Sequence, residues 1–133
     1  KARQEERGFF LPWGANCLLC GRRETTQHVF MECNTAHIFW DEVRGFFATD
    51  FEVTWPGLLC LDASCDRPEL RDIVIVLALH ALWRARVDVV ECVRWPKPAW
   101  RHLLDKTEWT VSALESSGTD ENLQEELQRG CRA

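Results

Sequence analysis

Cys17-Leu-Leu-Cys20-Gly-Arg-Arg-Glu-Thr-Thr-Gln-His28-Val-Phe-Met-Glu-Cys33 is the stretch on which the reading of this chain turns. As a spacing it is C-x2-C-x7-H-x4-C, three thiols and an imidazole within seventeen residues. Those donors are the ligand set of a closed, tetrahedral structural zinc site. Zn²⁺ is borderline-soft, and thiolate and imidazole suit it. The short gap between Cys17 and Cys20 lets a tight turn aim both sulfurs at one point. Gly21 follows directly and can take the positive φ such a turn needs. Three thiolates on one Zn²⁺ leave a single negative charge, which the neighbouring Arg22 and Arg23 are expected to offset. A lone C-x-x-C also fits a thioredoxin-like redox pair. That chemistry wants a βαβ context, whereas Gly21-Arg-Arg-Glu-Thr-Thr26 reads as loop. It also leaves His28 and Cys33 without a role. Cys33-x3-His37 is an acceptable ligand spacing too, so spacing alone leaves His28 and His37 both open.

Outward from this stretch the pattern is helical. Asn34 or Thr35 can cap a helix. Ala36, Phe39, Trp40, Val43, Phe46 and Phe47 then recur at three- and four-residue spacing, one stripe of a helix over Thr35–Phe47. Cys33 thus sits on the step into that helix. Phe51, Val53 and Trp55 alternate like a short strand before Pro56-Gly57 breaks the pattern. Leu58-Leu59-Cys60-Leu61 can make one helical turn. Asp66-Arg67-Pro68-Glu69 is a helix start, with an Asp cap and a proline in the first turn. The helix it opens is read as Glu69–Val93. Its run Ile73–Leu79 is apolar on every side, which predicts a buried central post. Arg84, Arg86, Asp88 and Glu91 are placed outside it or at its rim. His80 is read as a core histidine bonded to a carbonyl. Trp95-Pro96 ends that helix, and Pro98–Glu115 forms the next, with Trp100, Leu103, Leu104, Thr107, Val111 and Leu114 as its stripe. Ser116-Ser117-Gly118 is a break. The polar segment after it, Thr119–Gln128, reads as a short frayed helix or as disordered.

The fold class is therefore mainly α: a small CCHC zinc knuckle followed by a bundle of about three helices. Three regions follow: residues 1–48, the knuckle and its capping helix; 49–115, the helices packed on it; and 116–133, a flexible acidic tail. Phe9-Phe10-Leu11-Pro12-Trp13 is expected to anchor the knuckle. Cys60 and Cys65 lack a sequence-near partner and are read as free thiols.

Composition bounds the function. A length of 133 residues suits one small domain or one and a half, and from the start at Lys1 without Met a piece of something longer is expected. The sequence shows no charged-then-apolar signal-peptide pattern, and its most apolar run falls short of the roughly 20 residues of a membrane span. Seven cysteines, an odd number, with three in the knuckle, point to a reducing, intracellular compartment, nuclear or cytoplasmic. Seven Trp and seven Phe can fill a modest core. The net charge of −5 argues against a freestanding nucleic-acid binder. The charge is uneven, however. Lys1–Arg23 holds five basic and two acidic residues, and Glu108–Ala133 holds six acidic and two basic.

Cys17-x-x-Cys20-Gly21, Glu24-Thr25-x-x-His28-x-Phe30-x-x-Cys33, Ala36 and Trp40 together resemble the zinc-binding segment that lies downstream of the reverse transcriptase in non-LTR (LINE-type) retrotransposon proteins. Leu77-Ala-Leu-His-Ala-Leu-Trp-Arg-Ala-Arg86 resembles the helix ending in Trp-Lys/Arg-x-Arg that follows that segment. The similarity spans about Trp13 to Asp88, and Val87 departs from it, standing where many relatives carry Asn. The resemblance implies His28 as the fourth ligand. It implies a non-catalytic accessory domain beside an upstream reverse transcriptase domain, helping to hold RNA or DNA. The basic zinc end would supply that contact through Arg3, Arg7, Arg22 and Arg23, with Trp13 or Phe9 stacking. The alternative is a structural or protein-interaction module in which zinc only staples the fold. No paired-carboxylate strand, Ser-His-Asp set or phosphate loop marks an enzyme. A Cys17 or Cys20 nucleophile would be quenched by coordination.

Overall fold

After Pro68 the chain meets no glycine or proline until Pro96, and it answers with its longest helix. The computed structural model describes residues 1–8, 14–47, 52–60, 68–118 and 121–132. In order these form α1 (Ala2–Glu6), a π-helical turn (His28–Glu32), α2 (Asn34–Phe47), α3 (Trp55–Cys60), α4 (Pro68–Val90), α5 (Ala99–Ser117) and α6 (Glu121–Arg132). No strand occurs among the described residues; a single antiparallel bridge joins Asn16 to Arg23. None of these helices is long and apolar enough to cross a membrane.

Helix α4 has 23 residues and runs roughly 35 Å at 1.5 Å rise. Val74, Ile75, Ala78, Ala81 and Leu82 are buried along it. The expectation of burial on every side needs correction. Val76 is 52 % exposed, and Ile73, Leu77 and Leu79 are only partly covered. The helix leans on α5 chiefly, and also on the π-helical turn and α6, so one flank stays in water.

The stripe read from the sequence of α2 is its buried face: Ala36, Phe39, Trp40, Val43 and Phe47 are buried, with Phe46 partly so. Helix α5 buries Leu103, Thr107 and Val111; Thr107 turns its hydroxyl back to the Leu103 carbonyl at 2.8 Å. Each fully buried aliphatic side chain of this core contributes about 1.5–3 kcal/mol.

Within the segment 116–133, expected as a flexible tail, Glu121–Arg132 forms a helix. This helix, α6, packs on both α5 and α2, and Leu127 is fully buried. The reason lies in three residues at helical spacing: Leu123, Leu127 and Gly130. Gly130 is buried against the Phe47 ring so closely that a Cβ there would overlap Cδ1 and Cε1. The acidic residues lie on the other side, and the strongly one-sided pattern suffices for packing.

Two more boundaries differ from expectation, each for a local reason. The strand-like pattern ending at Trp55 yields to a cap. The Thr54 hydroxyl accepts the Gly57 N–H at 3.1 Å, so Pro56 sits in the first turn of α3 and starts the helix. Phe51, Asp66 and Cys65 lie outside the described residues, as does the Cys60 side chain. Helix α4 stops before Trp95-Pro96. The Cys92 N–H donates to the Val89 carbonyl and the Val93 N–H to that of Asp88, with Cys92 at φ +53°. That is a Schellman closure with a cysteine where glycine is usual.

Asp88, expected outside or at the rim, is buried, 6 % exposed. Its carboxylate accepts from His102 Nε2 at 2.9 Å, from the Lys97 N–H at 3.3 Å and from Arg84 Nη2 at 3.3 Å. A charged side chain thus closes the α4–α5 turn from inside.

Candidate metal centre

The first two thiols are set by a hairpin. Asn16 bridges Arg23, the Cys17 N–H donates to the Arg22 carbonyl at 2.7 Å, and the Glu24 N–H donates to the Ala15 carbonyl at 2.8 Å. Gly21 closes the turn at φ +76°, its N–H on the Cys17 carbonyl at 2.9 Å. Only glycine takes that conformation without steric cost. The imidazole is set by a different device. The Thr25 hydroxyl accepts the His28 N–H at 3.0 Å and opens a wide turn, closed by the Cys33 N–H on the His28 carbonyl at 2.9 Å. A π-type turn brings residues five apart into register, which puts His28 and Cys33 on one side. Trp40 ties this turn to α2 through Nε1 and the Phe30 carbonyl at 2.7 Å.

Cys17, Cys20, His28 and Cys33 converge, with all four ligand atoms within 4.8 Å of one another. Cys20 Sγ lies 3.2 Å from His28 Nε2. Zinc-type bond lengths at tetrahedral angles place ligands about 3.5–3.8 Å apart, so the four can take up a metal ion with small adjustments. Cys17, His28 and Cys33 are buried, and Cys20 forms the solvent edge. His37, the rival in spacing, is exposed on α2 and outside the cluster. Among the described residues no other group of three or more such donors comes together.

The charge beside these sulfurs comes from an unexpected place. Arg86, on α4, sends Nη1 to Cys17 Sγ at 3.1 Å and to Glu24 Oε2 at 3.0 Å. Glu24 in turn lies 3.7 Å from Lys1 Nζ. Burial alone would raise the Cys17 thiol. The Arg86 guanidinium, the Leu19 N–H and His28 outweigh it and bring the pKa down to about 6. The Arg22 backbone N–H favours the Cys20 thiolate, yet burial and the sulfurs of Cys17 and Cys33 prevail and push that thiol up. Three adjacent thiolates repel one another until a cation joins them.

The arginines expected to balance the centre do otherwise. Arg22 reaches Cys20 through its backbone and leaves its side chain exposed. Arg23 pairs with Glu5 at 3.0 Å and Glu6 at 3.1 Å. Arg3 and Arg7 are exposed at α1, without an ion pair among the described residues. Phe9 to Trp13 lie outside the described residues. His80 also departs from expectation. Its Nδ1 is buried with no hydrogen-bond partner, and its ring lies 6.0 Å from that of Trp83. Burial and the nearby Lys106, Arg84 and His102 hold the His80 pKa down.

No family model, curated protein or solved structure matches this chain. Fold and site geometry therefore carry the functional reading.

Proposed function

We propose that this chain is a non-catalytic accessory domain of a retrotransposon-type reverse transcriptase protein, stapled by one Zn²⁺ on Cys17, Cys20, His28 and Cys33. The observation that supports it is the converged, largely buried Cys3His set. Four protein ligands leave no open coordination position, so the metal would hold structure and activate no water. Coordinated thiolates are also poor nucleophiles, which weighs against a cysteine enzyme. Parentage beside an upstream reverse transcriptase domain rests on the resemblance of Cys17–Cys33 and Leu77–Arg86. A thiolate-rich site fits a reducing compartment, nucleus or cytoplasm. Metal counting on the purified chain tests the staple. One zinc per chain is expected, lost in His28→Ala and kept in His37→Ala; the reverse pattern would name the wrong histidine.

Contact with RNA or DNA is a second reading, favoured by one observation. Exposed indoles on the α4–α5 turn and on α5 carry their own cations. The Arg94 guanidinium lies 5.9 Å from the Trp95 ring centre, and Lys106 Nζ lies 4.9 Å from that of Trp109. Single strands bind by stacking bases on such rings while cations meet phosphates. At the zinc end, Arg22, Arg3 and Arg7 are free to join, whereas Arg23 must first leave Glu5 and Glu6. Oligonucleotide binding followed across salt tests this. Arg22→Ala with Arg23→Ala should flatten the salt slope by about one phosphate contact, roughly 0.7 to 0.9. No binding at low salt would leave the staple alone standing.

A further inference from the structure

We infer that Arg86 is the outer-sphere partner of the metal centre, and that through it the bound metal fixes where α4 sits on the knuckle. This rests on the zinc reading and names what that site controls. Cys17 and Arg86 are 69 residues apart, so their contact joins the first part of the chain to its central helix. The two N–H groups of one terminal nitrogen are divided, one toward the Cys17 sulfur at 3.1 Å and one toward Glu24 at 3.0 Å. The side chains of Arg86 and Glu24 are 11 % and 12 % exposed. A guanidinium so far out of water needs compensation, and it needs it in a fixed geometry.

The charges around the loaded centre close. Three thiolates, one neutral imidazole and Zn²⁺ carry one negative charge, and Glu24 carries another. Arg86 and Lys1 supply two positive charges, with Lys1 Nζ also on the Asn16 carbonyl at 3.2 Å. Arg22 and Arg23, adjacent in sequence, do not enter this shell with their side chains. A second shell of this kind orients the ligand and tunes its donor strength. Here it does so from α4, so an empty or distorted centre removes one of the partners that hold the last turns of that helix. Lysine would bring the charge but only a point donor in place of the planar fork.

The test compares Arg86→Met, Arg86→Lys and Arg22→Met in the full chain. Zinc affinity is read by competition with a chromophoric chelator. Arg86→Met is expected to lose about 10- to 100-fold, Arg86→Lys to fall between, and Arg22→Met to match the parent. Co²⁺ in place of zinc gives a second readout. Without its hydrogen bond, the Cys17 thiolate is more electron-rich, so the sulfur-to-cobalt charge-transfer band moves to lower energy in Arg86→Met and less so in Arg86→Lys. Loss of packing alone would not shift that band. In the parent, chelation should speed amide exchange in residues 84–90; in Arg86→Met it should add little. If Arg86→Met folds poorly, Arg86→Lys carries the comparison. A parent that binds one zinc, with both Arg86 variants at parental affinity and an unshifted band, overturns the inference. A parent that takes up no metal overturns the zinc reading, and this inference with it.

Discussion

The knuckle and the α4–α5 hairpin solve the same problem with opposite materials. Within residues 14–33 the buried side chains are Ala15, Cys17, His28 and Cys33, three of them ligands. Its interior is the cluster itself. The hairpin buries Val74, Ile75, Ala78, Leu82, Leu103 and Val111 and adds one polar clamp at Asp88. The knuckle's key ion pair comes from 62 residues away, while the hairpin's His102 and Asp88 are 14 apart. A region with little apolar interior takes a contact from a distant helix and, on the zinc reading proposed above, a cation as well. A region with its own core needs neither.

Metal removal is the sharpest way to break that contrast. Structural zinc in small zinc-finger peptides is worth about 10–16 kcal/mol, so chelation should abolish amide protection over residues 15–33 while α5 keeps its own. Simultaneous loss in both, by hydrogen exchange, would show one cooperative unit instead. Next in size is Leu103→Ala, a fully buried side chain on the hairpin side. It should cost about 2–5 kcal/mol in urea unfolding and leave zinc stoichiometry unchanged. Third is Asp88→Asn. Hydrogen bonds to a charged group contribute about 1.5–3 kcal/mol, and a loss near 2 kcal/mol is expected. The pH dependence has a definite sign. Burial by itself would raise the Asp88 carboxyl, but His102, the Lys97 N–H and Arg84 overcome it and hold it below the usual range. A carboxyl lowered by folding stabilises above its unfolded pKa, and that gain is lost as pH falls through the folded value. The parent should therefore weaken more steeply than Asp88→Asn below about pH 4. The smallest effect is a gain. Cys92 holds φ +53° at the end of α4. Cys92→Gly relieves a left-handed conformation costing about 1 kcal/mol and should raise the hairpin's melting temperature by a few degrees.

How much of this was legible depends on the range of the interactions. The ligand spacing of Cys17, Cys20 and Cys33, the buried stripe of α2 and the proline start of α4 are local patterns, and local patterns survive in a linear reading. The choice between His28 and His37 needed the Thr25 cap and the wide turn, neither of which spacing encodes. Arg86 could not be assigned from its surroundings. It stands among charged residues on the rim of a helix, and nothing nearby says which of them meets a sulfur. Asp88 misled for the same reason, since a carboxylate turns inward only when His102 and the Lys97 N–H are waiting. Helix α6 was readable in part: Leu123 and Leu127 were visible, but Gly130 acquires its meaning only from Phe47. Acidic composition pointed to disorder, and three residues at helical spacing were enough to overrule it.

The reach from Cys17 to Arg86 also has a consequence in time. Synthesis delivers Cys33, the last ligand, 53 residues before Arg86. At 5–20 residues per second that is a lag of roughly 3–10 s. The four candidate ligands are therefore complete before the helix that bears Arg86 exists. During that interval Lys1, already made and set beside Glu24 and the Asn16 carbonyl, is the only one of the two counter-charges the chain itself can supply.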